Sequence, residues 1–130
     1  MNSLIEIFIE QYSKWYFNSI ADDMNIFLSI PNEYSMLPNL KENAVYIDLF
    51  EKKNENVDAK KYMVELLAIA DANKINLYLE PIPRYKYIRN KAKKNKITIQ
   101  YLEKYYENFD FKKKGFGWME REYSINPKKK

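Results

Sequence analysis

The chain of 130 residues contains neither cysteine nor histidine, and this absence limits the chemistry it can perform. Thiolate nucleophiles, disulfides, imidazole bases and metal sites built on these ligands are excluded, so we expect no metal site. Acid or base catalysis must then use carboxylates, tyrosine, lysine or water. Glu80 is a candidate base, because it ends an alternating apolar run and could take a proton from an amine through water. A solvated carboxylate at a strand end is the alternative interpretation.

A basic segment from Arg84 to Lys96 is a second candidate functional region, because it could bind phosphates. It reads RYKYIRNKAKKNK and holds seven Lys or Arg and no acid. Cations bind phosphates, and the interleaved Tyr85 and Tyr87 could stack on bases, so the segment could bind single-stranded nucleic acid. The formal net charge of the whole chain is only +4, which favours a solvated basic loop instead.

Three helices are predicted to position these residues, because apolar side chains recur there at spacings of three and four. The first covers about 3–19. The second begins after Asp58, a suitable N-cap residue, and ends at Asn73-Lys74. The third covers about 98–108.

Four strands are predicted between and after the helices, over 24–30, 44–50, 75–80 and 116–123. Proline and asparagine between the first two favour a long loop and an antiparallel pair. A helix followed directly by a strand is typical of α/β proteins. We therefore expect one α/β (α+β) domain over 1–130, with a mixed, mostly antiparallel central sheet flanked by helices and a solvated basic tail at 126–130.

The amino-terminal residues predict the compartment. Residues 1–10 have neither a basic start nor a long apolar stretch, so we expect no signal peptide, no membrane span and a cytoplasmic protein. Lys, Asn, Ile and Tyr are abundant and there are only two glycines. This bias is typical of AT-rich genomes, including those of some phages, in which case the compartment would be the host cytoplasm.

Five segments of the chain follow one another as YIDLFEKK, NENVDAKKYMVELLAIAD, INLYLEP, YLEKYYENFDF and GFGWMEREY. Their order and spacing resemble N-acetyltransferases of the GNAT superfamily. That family has a strand, a loop of the form Arg/Gln-x-x-Gly-x-Gly/Ala, a helix, a strand, a helix and a final strand. The resemblance covers about 44–123. It implies a GNAT-like domain that transfers an acetyl group from acetyl-CoA to an amine.

The resemblance also implies roles for particular residues. Tyr106 aligns with the tyrosine that protonates the departing CoA thiolate in many family members, and Asp110 stands where the family usually has glycine. A packing role is the alternative for Tyr106, since the chain has twelve tyrosines. The implied contacts with acetyl-CoA come from Leu49, Phe50, Glu51, Asn54, Val57, Ala59, Lys60 and Lys61.

The loop of the implied cofactor site departs from the family pattern. Spacing aligns its Arg/Gln, its middle Gly and its last Gly/Ala with Asn54, Val57 and Ala59. Small residues there let backbone N–H groups approach a pyrophosphate at a helix amino terminus. Val57 is branched and conformationally restricted, and Glu55 and Asp58 add negative charge. We therefore expect a weakened pyrophosphate site.

Three functions stay open on these grounds. An active acetyltransferase predicts CoA binding. A noncatalytic protein of the same fold predicts a protein partner and an exposed aromatic patch; the consecutive Trp15, Tyr16 and Phe17 cannot all face one core, so at least one is a candidate contact. A nucleic-acid-binding module predicts binding that weakens steeply with salt.

Overall fold

The computed structural model describes residues 3–31, 41–82, 99–115 and 117–124. Their elements form an α+β fold, as predicted for the class. The predicted basic segment at 84–96 and the basic tail at 126–130 lie outside the described residues. The elements are α1 (Ser3–Trp15), a π-helical turn (Tyr16–Ile20), β1 (Met24–Ser29), β2 (Ala44–Lys52), α2 (Ala59–Ala72), β3 (Asn76–Leu79), α3 (Ile99–Glu107), β4 (Lys112–Lys114) and β5 (Trp118–Arg121).

The sheet has five strands in the order β1-β2-β3-β5-β4. β2 and β3 are parallel, and the other neighbours are antiparallel. The prediction of a mixed, mostly antiparallel sheet is confirmed, as is the antiparallel pairing of the first two strands. The predicted last strand is shorter than expected and forms a hairpin with β4, which the sequence analysis missed. The three exposed lysines of β4 carry no apolar alternation that would have indicated a strand.

One face of the sheet carries the main core. Apolar side chains of β1, β2, β3 and β5 pack there with α1, α2 and the segment around Phe109. Two polar contacts join α1 to α2: the Trp15 indole donates to Glu65 Oε1 at 2.8 Å, and the Asn73 amide donates to Gln11 Oε1 at 2.8 Å. A smaller cluster of Ala44, Tyr78, Tyr46 and Trp118 forms on the opposite face.

Two tyrosines of the first helical region cover the outer edge of β1. Lys53 N donates to Asp23 O at 2.8 Å, so alternation points the carbonyls of Met24 and Ile26 away from β2. Tyr12 Oη donates to the carbonyl of Ile26, and Tyr16 Oη donates to that of Met24 at 2.7 Å. These bonds satisfy backbone acceptors that an edge strand would otherwise leave open to another chain.

The π-helical turn also separates the consecutive aromatic residues. Tyr16 is buried, whereas 73% of the surface of Phe17 is exposed. The expectation that the three aromatic residues do not all face one core is confirmed. The wide turn directs Tyr16 and Ile20 into the core and leaves Phe17 in solvent.

We expect Tyr12→Phe to lower the free energy of unfolding by about 1 kcal/mol at neutral pH, because the Ile26 carbonyl loses its donor. Burial, and secondarily the charge of Tyr16, raises the pKa of Tyr12 from 10.0 to about 12. A raised pKa in the folded state means that the contribution is complete below about pH 10 and disappears as pH rises through about 12.

Urea unfolding at pH 7 and at pH 11 tests this expectation. The variant should lose less stability than the wild type between the two values. Tyr101→Phe, at an exposed position of α3, is the control and should behave like the wild type. An equal loss in Tyr12→Phe and the wild type would contradict the assignment.

Candidate functional site

The parallel strands β2 and β3 are paired over only a short stretch. β2 and β3 are paired only from Ala44 to Tyr46 on β2, opposite Asn76 to Tyr78 on β3. β2 then continues to Lys52 alongside β1, whereas β3 ends at Leu79. After Tyr46, no described strand pairs with this side of β2; this region, called the gap below, lies at the carboxyl ends of both strands, which is where ligands bind in open α/β sheets.

A β-bulge marks the point of parting. Ile47 pairs with Leu28 and Leu49 pairs with Phe27, so Asp48 is an extra residue in β2. Bulges are frequent next to binding sites, because they redirect the chain and its side chains. The strand is therefore irregular before Phe50, and the faces of the later residues are shifted. Phe50 packs against the main core, opposite Ile26.

Beyond the bulge, one edge of β2 faces the gap. Because Lys53 bonds to Asp23 on the β1 side, alternation directs the main-chain groups of Leu49 and Glu51 to β1 and those of Phe50 and Lys52 to the opposite side. β3 is not paired with β2 at these positions. No strand pairing among the described residues uses the N–H and C=O groups of Phe50, and such edge groups can bond to an extended ligand that carries amides.

The turn between β2 and α2 is closed by Asn54. Its side-chain oxygen accepts from Asn56 N at 3.0 Å, and its carbonyl accepts from Val57 N at 3.4 Å. Val57 packs on the core and is not among the described residues with positive φ. The turn is therefore held by its own contacts and does not form a glycine-type cradle that wraps a phosphate.

The amino terminus of α2 follows this turn. Asp58 is the N-cap, and its side chain accepts from Lys61 N at 3.4 Å, as predicted. The N–H groups of Ala59 and Lys60 stand in the first turn, where an α-helix supplies no internal acceptors. Lys60 and Lys61 are exposed. Their positive charges lie beside these donors, but so does the negative charge of Asp58.

Tyr106 lies in an aromatic cluster on α3. Its ring centroid is 5.3 Å from that of Tyr105 and 5.8 Å from that of Phe111. Burial, and secondarily the charge of Tyr105, raises the pKa of Tyr106, so its hydroxyl is protonated at neutral pH. A protonated phenol can donate a proton but cannot act as a base.

The cluster lies near the start of α2. Burial, then the charges of Tyr101 and Asp58, raise the pKa of Tyr105. Tyr105 is thus within electrostatic reach of the helix cap, and Val57 and Ala59 pack on the same core as Tyr105 and Tyr106. Tyr106 and residues of the predicted cofactor segment thus pack against the same core.

Glu80, the predicted base, lies at the end of β3 and not on α3 with Tyr106. It is the residue after β3, it is half-buried, and its carbonyl accepts from Ile82 N at 2.9 Å. Glu80 thus follows the carboxyl end of β3, and Phe50 lies on β2, the other strand beside the gap. The two predicted catalytic residues therefore belong to different elements, α3 and the end of β3.

A buried ionic cluster on the face of the sheet opposite the main core was missed by the sequence analysis. Glu120, 4% exposed, accepts from Tyr78 Oη, and its Oε1 lies 3.0 Å from Lys41 Nζ and 3.5 Å from Lys114 Nζ. Burial opposes ionisation, but the hydrogen bonds from Tyr78 and Lys41 lower the pKa of Glu120. Burial and the bond to Glu120 raise the pKa of Tyr78 to about 12.

These directions assign the cluster a structural role. The carboxylate stays ionised and the phenol stays protonated at neutral pH, so neither is prepared to exchange a proton. The contacts join β3, β4, β5 and the segment before β2. In the sequence, these residues are separated by up to 79 positions, and no local pattern links them.

Glu51 was predicted as a cofactor contact and shows an unusual environment. Its Oε2 is the one buried side-chain oxygen or nitrogen without a hydrogen-bond partner among the described residues. Burial raises the pKa of this carboxyl, and a hydrogen bond from the Asn25 side chain opposes the increase. It lies opposite Asn25 on the edge strand β1.

Other types of site find no support in the part of the chain that is described. It contains no group of three or more acidic side chains suited to hold a metal ion. No helix within these ranges combines the length and the apolar character needed to cross a membrane. A scan against protein-family models and searches of curated proteins and of solved structures each found no match.

Proposed function

We propose that the protein binds acetyl-CoA along the open edge of β2 and the first turn of α2, and transfers the acetyl group to an amine. The observation that carries the proposal is the parting of β2 and β3 at a bulge, directly before the amino terminus of α2. Apart from β4, the order of the described elements is compatible with the layout that the GNAT resemblance implies. Asp110, at the usual position of the family's glycine, has φ 70°, a conformation that favours glycine.

The pantetheine arm of CoA suits the open edge of β2. It is extended and carries two amide groups, which can bond to main-chain N–H and C=O groups as an added strand would. Phe50 presents such groups toward the gap. Leu49 and Glu51 lie on either side of Phe50. Their main-chain groups point toward β1 and not toward the gap.

The diphosphate of CoA suits the first turn of α2 less well. The N–H groups of Ala59 and Lys60 and the ammonium groups of Lys60 and Lys61 favour an anion. Asp58 and Glu55 oppose it, and Asn54 already occupies the N–H groups of Asn56 and Val57. We therefore expect binding in the micromolar range or weaker, driven by the edge of β2 and the two lysines.

The proposed transfer needs one proton donor and one acceptor from the chain. Acetyl-CoA supplies the thioester; the amine nitrogen bonds to its carbonyl carbon, and the carbon–sulfur bond breaks. Tyr106 holds its hydroxyl proton at neutral pH and would donate it to the sulfur. Glu80 would receive the proton of the amine through water.

Replacement of both Lys60 and Lys61 with glutamine is expected to weaken acetyl-CoA binding about tenfold, which corresponds to about 1.4 kcal/mol. Two charge-assisted contacts to phosphate are lost, while the helix and its cap remain. Isothermal titration of wild type and variant with acetyl-CoA, and with CoA for comparison, measures the effect.

The matched control replaces Lys14 and Lys74 with glutamine. It removes the same charge at exposed positions of α1 and beyond the carboxyl end of α2. Its affinity should equal that of the wild type at constant salt. Equal weakening in the two double variants would show that only net charge matters and would remove the proposed diphosphate site.

A noncatalytic role in protein binding is the second candidate, and the exposure of Phe17 favours it. Phe17→Ser should abolish capture of a partner protein if this surface is the contact. A wild-type protein that binds no acetyl-CoA at millimolar concentration would give this candidate precedence.

A further inference from the structure

The strand β4 is an outer edge of the sheet and is exposed along its whole length. Among the described residues β5 is its one neighbouring strand, and all three residues of β4 are exposed. The opposite edge, β1, differs, because tyrosine hydroxyls bond to its carbonyls. Gly115 lies in the turn after β4, and a Cβ atom added there would meet no atom within 4 Å. The hairpin of β4 and β5 therefore stands in solvent, and its outer edge is accessible.

The main-chain groups of Lys113 point outward from this edge. Asn76 N donates to the carbonyl of Asn43, the residue before β2, so strand alternation directs the main-chain groups of the next residue of β3 toward β5. Continued across β5, this alternation directs the main-chain groups of Lys112 and Lys114 toward β5. Lys113 lies between them, so its N–H and C=O groups face away from the sheet.

The side chains of β4 make the same edge cationic. Lys112 and Lys114 lie on one face of the sheet, and Lys113 lies on the other. Glu103 Oε1 is 3.7 Å from Lys113 Nζ, and Glu120 Oε1 is 3.5 Å from Lys114 Nζ. Three lysines thus share two carboxylates among the described residues, which leaves an excess of positive charge. A second copy of β4 would place lysine opposite lysine, and like charges in facing positions are destabilising.

We infer that β4 is a docking edge for an extended acidic segment of a partner protein, which joins the sheet as a further strand. The inference goes beyond the proposed function and does not depend on it. The partner's main chain exchanges hydrogen bonds with Lys113, and its carboxylates at alternate positions lie opposite Lys112 and Lys114. Lysines on an edge strand oppose pairing with most strands, and here they select an acidic one. The outward C=O of Lys113 favours a peptide over a nucleic acid, whose phosphate backbone has no N–H donor.

Amide-resolved NMR of the labelled full-length chain, titrated with a short blocked peptide of alternating Thr and Glu, tests the inference. We expect saturable shifts over Lys112–Lys114 and slower hydrogen exchange of the Lys113 amide. Two matched peptides separate the contributions: one has Gln in place of Glu, and the other has every main-chain amide N-methylated. Each should bind about tenfold more weakly, because the first lacks the ion pairs and the second lacks the N–H donors.

Replacement of both Lys112 and Lys114 with glutamine should weaken binding of the acidic peptide about tenfold. The control with Lys14 and Lys74 replaced by glutamine should bind like the wild type. Equal affinity for the acidic peptide and its N-methylated form would show attraction by charge alone and would overturn the inference. Equal or tighter binding of an oligothymidylate of the same charge, or no shifts at millimolar peptide, would overturn it as well.

Discussion

Asp71→Ala is expected to lower the free energy of unfolding by about 3–5 kcal/mol, because it leaves a buried guanidinium without its countercharge. Arg121 donates through Nη1 and Nη2 to the two carboxylate oxygens of Asp71, at 2.7 and 3.0 Å. Ser124 N donates to Asp71 Oδ1 at 2.9 Å, and Arg121 Nε donates to the carbonyl of Phe109. The pair thus connects α2, β5 and the segment after α3.

Chemical denaturation followed by circular dichroism measures this loss. The two side chains of the pair are only 6% and 9% exposed, so solvent cannot replace the lost partner. Glu10→Ala is the control, because Glu10 pairs with Lys14 on the exposed surface of α1 and should contribute less than about 0.5 kcal/mol. A loss below about 1 kcal/mol in Asp71→Ala would contradict the role given to the buried pair.

Phe8→Ala is expected to cost a similar amount, about 3–5 kcal/mol, through lost burial and the cavity it leaves. Phe8 is fully buried in the main core and stacks with Tyr12, at 6.5 Å between ring centroids. The stacking with Tyr12 matters because Tyr12 also donates a hydrogen bond to the outer edge of β1. Loss of Phe8 should therefore loosen that edge as well as the core.

Hydrogen exchange and denaturation together test the second prediction. Denaturation should show the large loss, and amides of β1 should exchange faster than those of β5 relative to the wild type. Phe17→Ala is the matched control, since it removes the same side chain from an exposed position and should change stability little. Equal losses in the two variants would contradict the placement of the core.

The helices could be predicted from the sequence because their determinants are local. The apolar spacing of α1 and α2 and the N-cap Asp58 lie within single segments, and the structure confirms them. The bulge at Asp48 was not predictable, since it depends on how β2 pairs with β1 over both strands. β4 was not predicted because its three lysines have the composition of a loop.

The candidate site was predictable to the extent that it is contiguous. Residues 49–61 form one segment, so sequence alone could place the proposed cofactor contacts together. The electrostatic effect of Asp58 on Tyr105 links α3 to the N-cap of α2, and no sequence spacing indicated it. The Glu120 cluster and the unpartnered Glu51 oxygen arise from side chains on different strands, which no sequence spacing encodes.

The turn before α2 shows what the departures from the GNAT pattern do to the structure. Where the family pattern has glycine, Val57 packs inward, and Asn54 holds the turn closed. The backbone donors lost there cannot contribute to phosphate binding. We therefore expect the edge of β2 to contribute more to acetyl-CoA affinity than the turn does.

Amide-resolved NMR of the labelled protein during a titration with acetyl-CoA tests the central claim most directly, because it locates the ligand. We expect saturable shifts at Phe50, Ala59 and Lys60, with smaller changes at Asn56 and Val57 and none at the exposed lysines of β4. No shifts at millimolar acetyl-CoA, or shifts confined to β4 and the basic regions of the chain, would contradict it.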